Sequence, residues 1–193
     1  LNDIGLSEQP SPGQVLEKPI LDVSTKLETK DRYVSRKEAG EIAGLSDKEL
    51  QEIKEIVIKI NNMITNEAKR FGLENNDGKM EFGFDENRNI VLVDVTGTPD
   101  ECRFTYNDFP VSKEIARIFY RKTSWFDKIN RAKKNSSVQW KKMVNQDPPE
   151  MPEKLNKLIS ELYQSFCNQL TGKKWFNAGE MNQVIREIKK EIK

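Results

Sequence analysis

Between Leu50 and Ala68 the apolar residues Leu50, Ile53, Ile56, Val57, Ile60, Met63, Ile64 and Ala68 recur every three or four positions. That period gathers them on one side of an α-helix; a strand would need a repeat of two. Ser46-Asp-Lys-Glu49 just ahead is a capping box, and Phe71-Gly72 supplies a glycine stop. A stripe this long needs cover, and a sheet is its ordinary cover. The chain is therefore expected to build a sheet against this helix.

Sheet residues follow directly. Asp77-Gly-Lys79-Met-Glu81-Phe-Gly-Phe84, the polar run Asp85 to Asn89, and Ile90-Val-Leu-Val-Asp94 together predict a β-hairpin. Alternation puts Asp77, Lys79 and Glu81 on one face of one strand, with Asp94 at the end of the other. Alternation alone favours a solvated face, the norm for antiparallel ribbons. Two carboxylates beside a lysine are also what a nucleotide–magnesium site uses: oxygen ligands hold the hard cation and an ammonium offsets phosphate charge.

Around this centre the remaining segments are mostly helical. Residues 1–19, rich in Pro, Gly, Ser and Gln, suit a connecting segment, and Pro19 to Lys26 reads as a short strand. Ser35-Arg-Lys-Glu38 is a second capping box, opening a short helix that ends near Gly44. Thr98-Pro99-Asp100 is a turn. Helices are expected over Ser112–Tyr120, Ser124–Lys134 and Glu153–Leu170, the last with the stripe Leu155, Leu158, Ile159, Leu162, Phe166 and Leu170. A final helix from about Ala178 to Lys193 carries Met181, Val184, Ile185, Ile188 and Ile192 on one face, and either the core or a second subunit could cover it. The order of elements points to an α+β fold: a small antiparallel sheet packed with a long helix and followed by several helices. The expected divisions are 1–19, 20–176 and 177–193.

Composition removes several function classes. The 193 residues include no histidine, which excludes His-based triads, imidazole bases and the usual zinc sites. Charged residues make up 33%, yet the net charge is only +1, so no general basic excess marks a nucleic-acid binder. Trp125, Phe126 and Trp140 do interleave with Lys128, Arg131, Lys133, Lys134, Lys141 and Lys142, and a solvated basic helix face is the favoured account. Cys102 and Cys167 are far apart and lack metal spacing, which suits free thiols in a reducing compartment. Cys102 beside Arg103 is expected to be a small buried filler. No apolar run approaches a membrane span, and no signal peptide opens the chain. The reading is a soluble, cytoplasmic protein.

Several segments, taken together and in order, resemble SAICAR synthetase, the phosphoribosylaminoimidazole-succinocarboxamide synthase of purine biosynthesis. They are Pro19-Ile-Leu-Asp-Val-Ser24-Thr25-Lys26, Asp77-Gly-Lys-Met-Glu-Phe-Gly, Ile90-Val-Leu-Val-Asp94, Thr98-Pro-Asp-Glu-Cys-Arg103, and Leu170-Thr-Gly-Lys-Lys-Trp175. The last, with the Gly5 to Pro19 approach, is similar to the longer, eukaryote-like branch. The resemblance implies an ATP- and magnesium-dependent ligase joining L-aspartate to carboxyaminoimidazole ribonucleotide (CAIR). It implies Glu81 and Asp94 on magnesium and the nucleotide phosphates, with Lys79 stabilising transferred charge. Asp77 would orient the amine or the lysine, and Arg103 would meet the ribonucleotide phosphate. Ser24, Thr25 and Lys26 would approach the imidazole carboxylate or the aspartate, and Lys113 and Arg117 the substrate anions. The implied partners are small molecules, with neither nucleic acid nor membrane among them.

The chain departs from the family pattern at four places. Asp94-Val95 replaces Asp-Glu, Glu101-Cys102 replaces Ser-Ser, Ser112 replaces an acid, and Glu28 to Asp31 matches an acidic segment only loosely. The family's first lobe, with its phosphate-covering loop and ATP lysine, has no counterpart ahead of Leu1. The expectation is a C-terminal portion of the enzyme, inactive in isolation. The rival expectation is a non-catalytic nucleotide-binding or assembly module that kept the scaffold.

Overall fold

The computed structural model describes residues 8–11, 13–26, 28, 31–136 and 138–192. Residues 1–7 and 12 of the 1–19 connecting segment, and 29–30 of the Glu28–Asp31 stretch, lie outside the described residues. The chain divides into two compact units, residues 1–60 and 61–193.

In the first unit β1 (Val23–Ser24) pairs antiparallel with β2 (Tyr33–Val34). The strand expected over Pro19–Lys26 is thus two residues long. Helix α1 (Arg36–Ala43) starts at Ser35, whose hydroxyl accepts the Glu38 N–H at 3.1 Å, and stops at Gly44 with φ 62°. Glu38 does not return the bond; its carboxylate takes the Arg32 guanidinium at 2.6 Å. At Ser46 the box closes fully: Ser46 N–H donates to Glu49 Oε2 at 2.7 Å and Glu49 N–H donates to Ser46 Oγ at 3.3 Å. It opens α2 (Asp47–Arg70), which runs through the division and ends where Leu73 N–H reaches back to the Ala68 carbonyl around Gly72, φ 71°.

The second unit holds the packed core. A three-stranded antiparallel sheet has the order β3 (Glu74–Gly78), β6 (Cys102–Tyr106), β7 (Phe109–Val111), with β6 central. Its edge strand β7 carries Pro110, tolerated where no further strand needs the missing N–H. Asn107 and Asp108, both at positive φ, make the two-residue reversal between β6 and β7. Four helices follow: α3 (Glu114–Arg121), α4 (Ser124–Asn135), α5 (Trp140–Met143) and α6 (Glu153–Thr171), and then α7 (Met181–Glu191). Cys102 and Phe104 from β6, Val111 from β7 and Ile115 from α3 pack with Leu155, Leu162 and Phe166 of α6 and with Met181, Val184, Ile185 and Ile188 of α7. The Phe104 and Phe166 rings stand 5.4 Å apart. The last helix therefore docks on the core of its own chain.

Three expectations need correction. The single small sheet is three separate ones, because the expected hairpin strand breaks after Gly78. Only Phe82–Phe84 (β4) and Ile90–Leu92 (β5) form the hairpin, as their own two-stranded ribbon. Met63 is not covered by the core: it is 62% exposed, and Ala68 alone of the α2 stripe is fully buried. Leu170, at the end of the α6 stripe, also faces solvent. The reason is shared. Both residues are at a margin of their stripe: Met63 is turned about 100° round the helix from Ile64, which packs on the core, and Leu170 is in the last turn of α6. Among the described residues no helix is long and apolar enough to cross a membrane.

Ile188 is fully buried, so Ile188→Ala is expected to cost about 2–5 kcal/mol in urea unfolding. Met63→Ala should stay within about 0.5 kcal/mol of wild type in the same measurement.

Candidate functional site

The break at Gly78 decides how the charged residues are distributed. In the β3–β6 pairing Asn75 lies opposite Phe104, Asp77 opposite Arg103 and Gly78 opposite Cys102, with a register shift between Asn75 and Asp77. Asn76 is the extra residue of this bulge; in a regular ladder, with Asn76 paired, Asp77 would share the inward face of Asn75. Asn75 does face inward, its amide donating to Asn61 Oδ1 at 3.2 Å and Thr65 Oγ1 at 3.0 Å on α2. Asp77 is turned outward, where its carboxylate meets Arg103 Nε at 3.1 Å. Gly78 then passes so close to β6 that an added Cβ would sit 2.9 Å from Cys102 Sγ.

Beyond Gly78 the chain crosses to the ribbon. Lys79 N–H still bonds the Glu101 carbonyl at 3.1 Å, and two residues later the Glu81 carbonyl accepts Val93 N–H at 3.0 Å. Lys79 and Glu81, pinned at either side of the crossing, form an ion pair. The Glu81 side chain is 14% exposed and the Lys79 side chain 60%. Asp94 comes one residue after the ladder partner of Glu81. Continued alternation would turn it to the other face of the ribbon, but the strand has ended and the chain bends at Asp94. Its Oδ1 accepts the Val95 N–H at 2.8 Å. Both carboxylates thus belong to the open end of the ribbon, opposite the Asp85–Asn89 turn. That turn is held by Asp85, whose carboxylate accepts N–H groups from Asn87 and Asn89.

The sequence reading of one face carrying Asp77, Lys79 and Glu81 is therefore corrected. Lys79 and Glu81 stay together, while Asp77 belongs to another sheet and engages Arg103. Arg103 and Asp77 remain neighbours of the Thr98–Glu101 turn, in which Glu101 N–H bonds Thr98 Oγ1 at 3.3 Å and Cys102 N–H bonds the Thr98 carbonyl at 2.8 Å. The Pro99 carbonyl of that turn accepts Lys113 N–H at 3.2 Å and the Tyr163 hydroxyl at 3.4 Å. Lys113 Nζ lies 3.9 Å from Asp100 Oδ1. Ser112, fully buried, stands at the start of α3 and accepts Glu114 N–H at 3.2 Å. Its place opposite the family's usual acid is that of a helix-start oxygen.

Glu114 went unnoticed in the sequence, although its spacing from Arg117 was visible there. It takes Arg117 Nη1 at 3.2 Å and Arg121 Nη2 at 2.6 Å. Burial pushes its carboxyl up, but the two guanidinium bonds outweigh that and hold it below the usual carboxylate range. Cys102 is 2% exposed, and burial pushes its thiol up, so it is a filler. In the first unit Ser24 is exposed. Thr25 is buried, its hydroxyl accepting Arg32 N–H at 3.2 Å and its own N–H bonding the Arg32 carbonyl at 3.0 Å. Lys26 next to it is exposed. Thr25 thus fixes the backbone from which Ser24 and Lys26 project. The basic helix face around α4 and α5 has its rings engaged already: Lys133 Nζ lies 4.6 Å from the Trp140 centroid, and the Trp125 indole N–H donates to the Gln146 carbonyl at 3.0 Å.

Among the described residues no three His, Cys, Asp or Glu side chains cluster to hold a metal. Glu81 and Asp94 are the carboxylates by which the ribbon's open end would hold a magnesium ion, with phosphate oxygens and water completing the shell as in a nucleotide site. All the donors are hard oxygens, as that ion requires.

Comparison with known proteins identifies the family. The SAICAR synthetase family pattern matches residues 5–142. A protein of Archaeoglobus fulgidus, provisionally named phosphoribosylaminoimidazole-succinocarboxamide synthase, is 45% identical over 98% of this chain and 56% of its own length. The Thermoplasma acidophilum protein named phosphoribosylaminoimidazole-succinocarboxamide synthase is 36% identical over 90% of this chain and 59% of its own. A solved SAICAR synthetase in complex with ADP superposes with a TM-score of 0.58 at 26% identity, over 86% of this chain and 56% of that one. This chain spans somewhat over half the length of these relatives.

Two expectations follow from the site geometry. Gly78→Ala should destabilise the chain by about 1–3 kcal/mol in urea unfolding, because buried Cys102 cannot retreat. Glu114 contributes stability above its ordinary pKa of about 4.3, and that contribution is lost as pH falls through its depressed folded value. Unfolding followed from pH 6 downward should therefore lose stability more steeply in wild type than in Glu114→Gln. Because the family pattern spans residues 5–142, well over half of its length, the chain belongs to the SAICAR synthetase family.

Proposed function

We propose that this chain carries the magnesium- and phosphate-binding part of an ATP-dependent carbon–nitrogen ligase, which joins L-aspartate to the carboxylate of CAIR to give SAICAR. The observation that carries the reading is the Lys79–Glu81 ion pair at the open end of the β4–β5 ribbon, the end at which Asp94 follows β5. The names of the relatives and the ADP bound by the superposed synthetase support it.

In this reading Glu81 and Asp94 hold magnesium, which when bound supplies charge neutralisation to the triphosphate. Lys79 contributes an ammonium beside the γ-phosphoryl group as it passes to the CAIR carboxylate. The aspartate amine then attacks the resulting acyl phosphate; the C–N bond forms, the C–O bond to phosphate breaks, and the amine loses a proton. Histidine is not needed for this, because the demand is alignment and charge compensation. Arg103, braced by Asp77, meets the ribonucleotide phosphate as a planar fork. Lys113 and Arg117 serve substrate anions from the start of α3, and Ser24, Thr25 and Lys26 serve the imidazole carboxylate or the aspartate. The free Cys102 and Cys167 and the small-molecule chemistry suit a cytoplasmic enzyme. Residues 20–176 form the lobe proper, reached through 1–19 and extended by the helix within 177–193. The remainder of the relatives' length would complete the cleft.

Isothermal titration with magnesium-ADP tests the assignment. Binding by the wild-type chain should weaken at least about tenfold in both Glu81→Ala and Asp94→Ala; unchanged affinity in both variants would sink the site. Joining the chain to the stretch of the Archaeoglobus relative that it does not span should yield SAICAR from ATP, aspartate and CAIR. Nucleotide binding without product would identify a non-catalytic binding module instead.

A further inference from the structure

We propose that Glu81 is a metal-gated latch on Lys79: the carboxylate holds the ammonium when no divalent cation is present, and Lys79 becomes available to phosphate only when such a cation takes the Glu81 charge. This rests on the assignment of a divalent cation to Glu81 made above.

The backbone fixes the pair. Lys79 N–H is tied to Glu101 and the Glu81 carbonyl to Val93, so the two residues cannot drift apart along the crossing. Their side chains differ in freedom. Glu81 is 14% exposed and anchored, whereas Lys79 is 60% exposed and can swing. A half-buried carboxylate beside an ammonium lowers the field that the ammonium offers to a third charge. A divalent cation is a harder and more highly charged partner for that oxygen pair than an ammonium is. A cation on Glu81 neutralises the charge that Lys79 pairs with, so each partner weakens the hold of the other.

The neighbouring cations are held in the same way. Arg103 is paired with Asp77, Lys113 lies near Asp100, and Arg117 is paired with Glu114. A surface meant to bind several anions is thus kept discharged by its own acids. Among these pairs only Lys79–Glu81 has an acid that is also assigned to a metal, so only this pair couples anion affinity to cation binding. The consequence is order: divalent cation first, or together with nucleotide, and weak binding of metal-free nucleotide.

The test is a double-mutant cycle on the full chain with wild type, Lys79→Met, Glu81→Gln and the double variant. Mn2+ alone, followed by electron paramagnetic resonance, is the first probe, and metal-free ADP, followed by calorimetry, is the second. Lys79→Met should bind Mn2+ about fivefold tighter than wild type, the equivalent of one ion pair, and that gain should vanish on the Glu81→Gln background. Glu81→Gln should tighten metal-free ADP by a similar factor only while Lys79 is present. A simple field effect would give gains that survive in both backgrounds, and that result overturns the latch while leaving the function intact. Failure of all four proteins to bind Mn2+ or magnesium-ADP overturns the function and the latch together.

Discussion

The packing of β6 against α6 is the constraint from which the rest of the second unit follows. Cys102 and Phe104 face inward at 2% and 1% exposure, and Phe104 meets Phe166. Because a strand alternates, this burial leaves Arg103 no choice but to face outward. The apolar area removed from water at Phe104 alone stabilises by about 2 kcal/mol, far more than an exposed ion pair could offer. The core therefore sets the position of the arginine, and Asp77 adapts to it.

That adaptation explains the bulge. A regular β3 would have put Asp77 on the same face as Asn75, into a region that already holds Asn61 and Thr65 of α2. An uncompensated carboxylate there would carry a heavy desolvation penalty. Leaving Asn76 unpaired in the ladder, as a bulge, keeps Asp77 turned to solvent and to Arg103, and Asn76 finds its own side-chain partner in Thr105 Oγ1 at 3.2 Å. Gly78 lets the chain pass Cys102 closely enough to keep the pairing and then leave it. One small residue and one extra residue together convert a continuous strand into two, and so deliver Lys79 and Glu81 to a second ribbon.

The acids and bases of the site are consequently arranged as pairs rather than as opposed patches. Lys79 meets Glu81, Arg103 meets Asp77, and Glu114 bridges Arg117 and Arg121. These pairs are mostly exposed, so each contributes little to stability. Their effect lies in keeping charge balanced across this surface. The near-neutral total charge of the chain is the same balance seen at the level of composition.

Local patterns needed no third dimension to be read. The Ser46–Glu49 box, the Gly72 stop, the Asp85–Asn89 reversal and the faces of α6 and α7 each depend on residues within one or two turns of each other, and periodicity reports them directly. The family resemblance singled out Lys79, Glu81 and Asp94 as candidates for the proposed site. Periodicity could not report the bulge at Asn76, because a register shift exists only relative to the partner strand β6, some 27 positions away along the chain. Adjacent side chains settle helices, caps and turns. Which face a carboxylate takes, and which cation it meets, is settled by strands far apart in the chain competing for one buried interior.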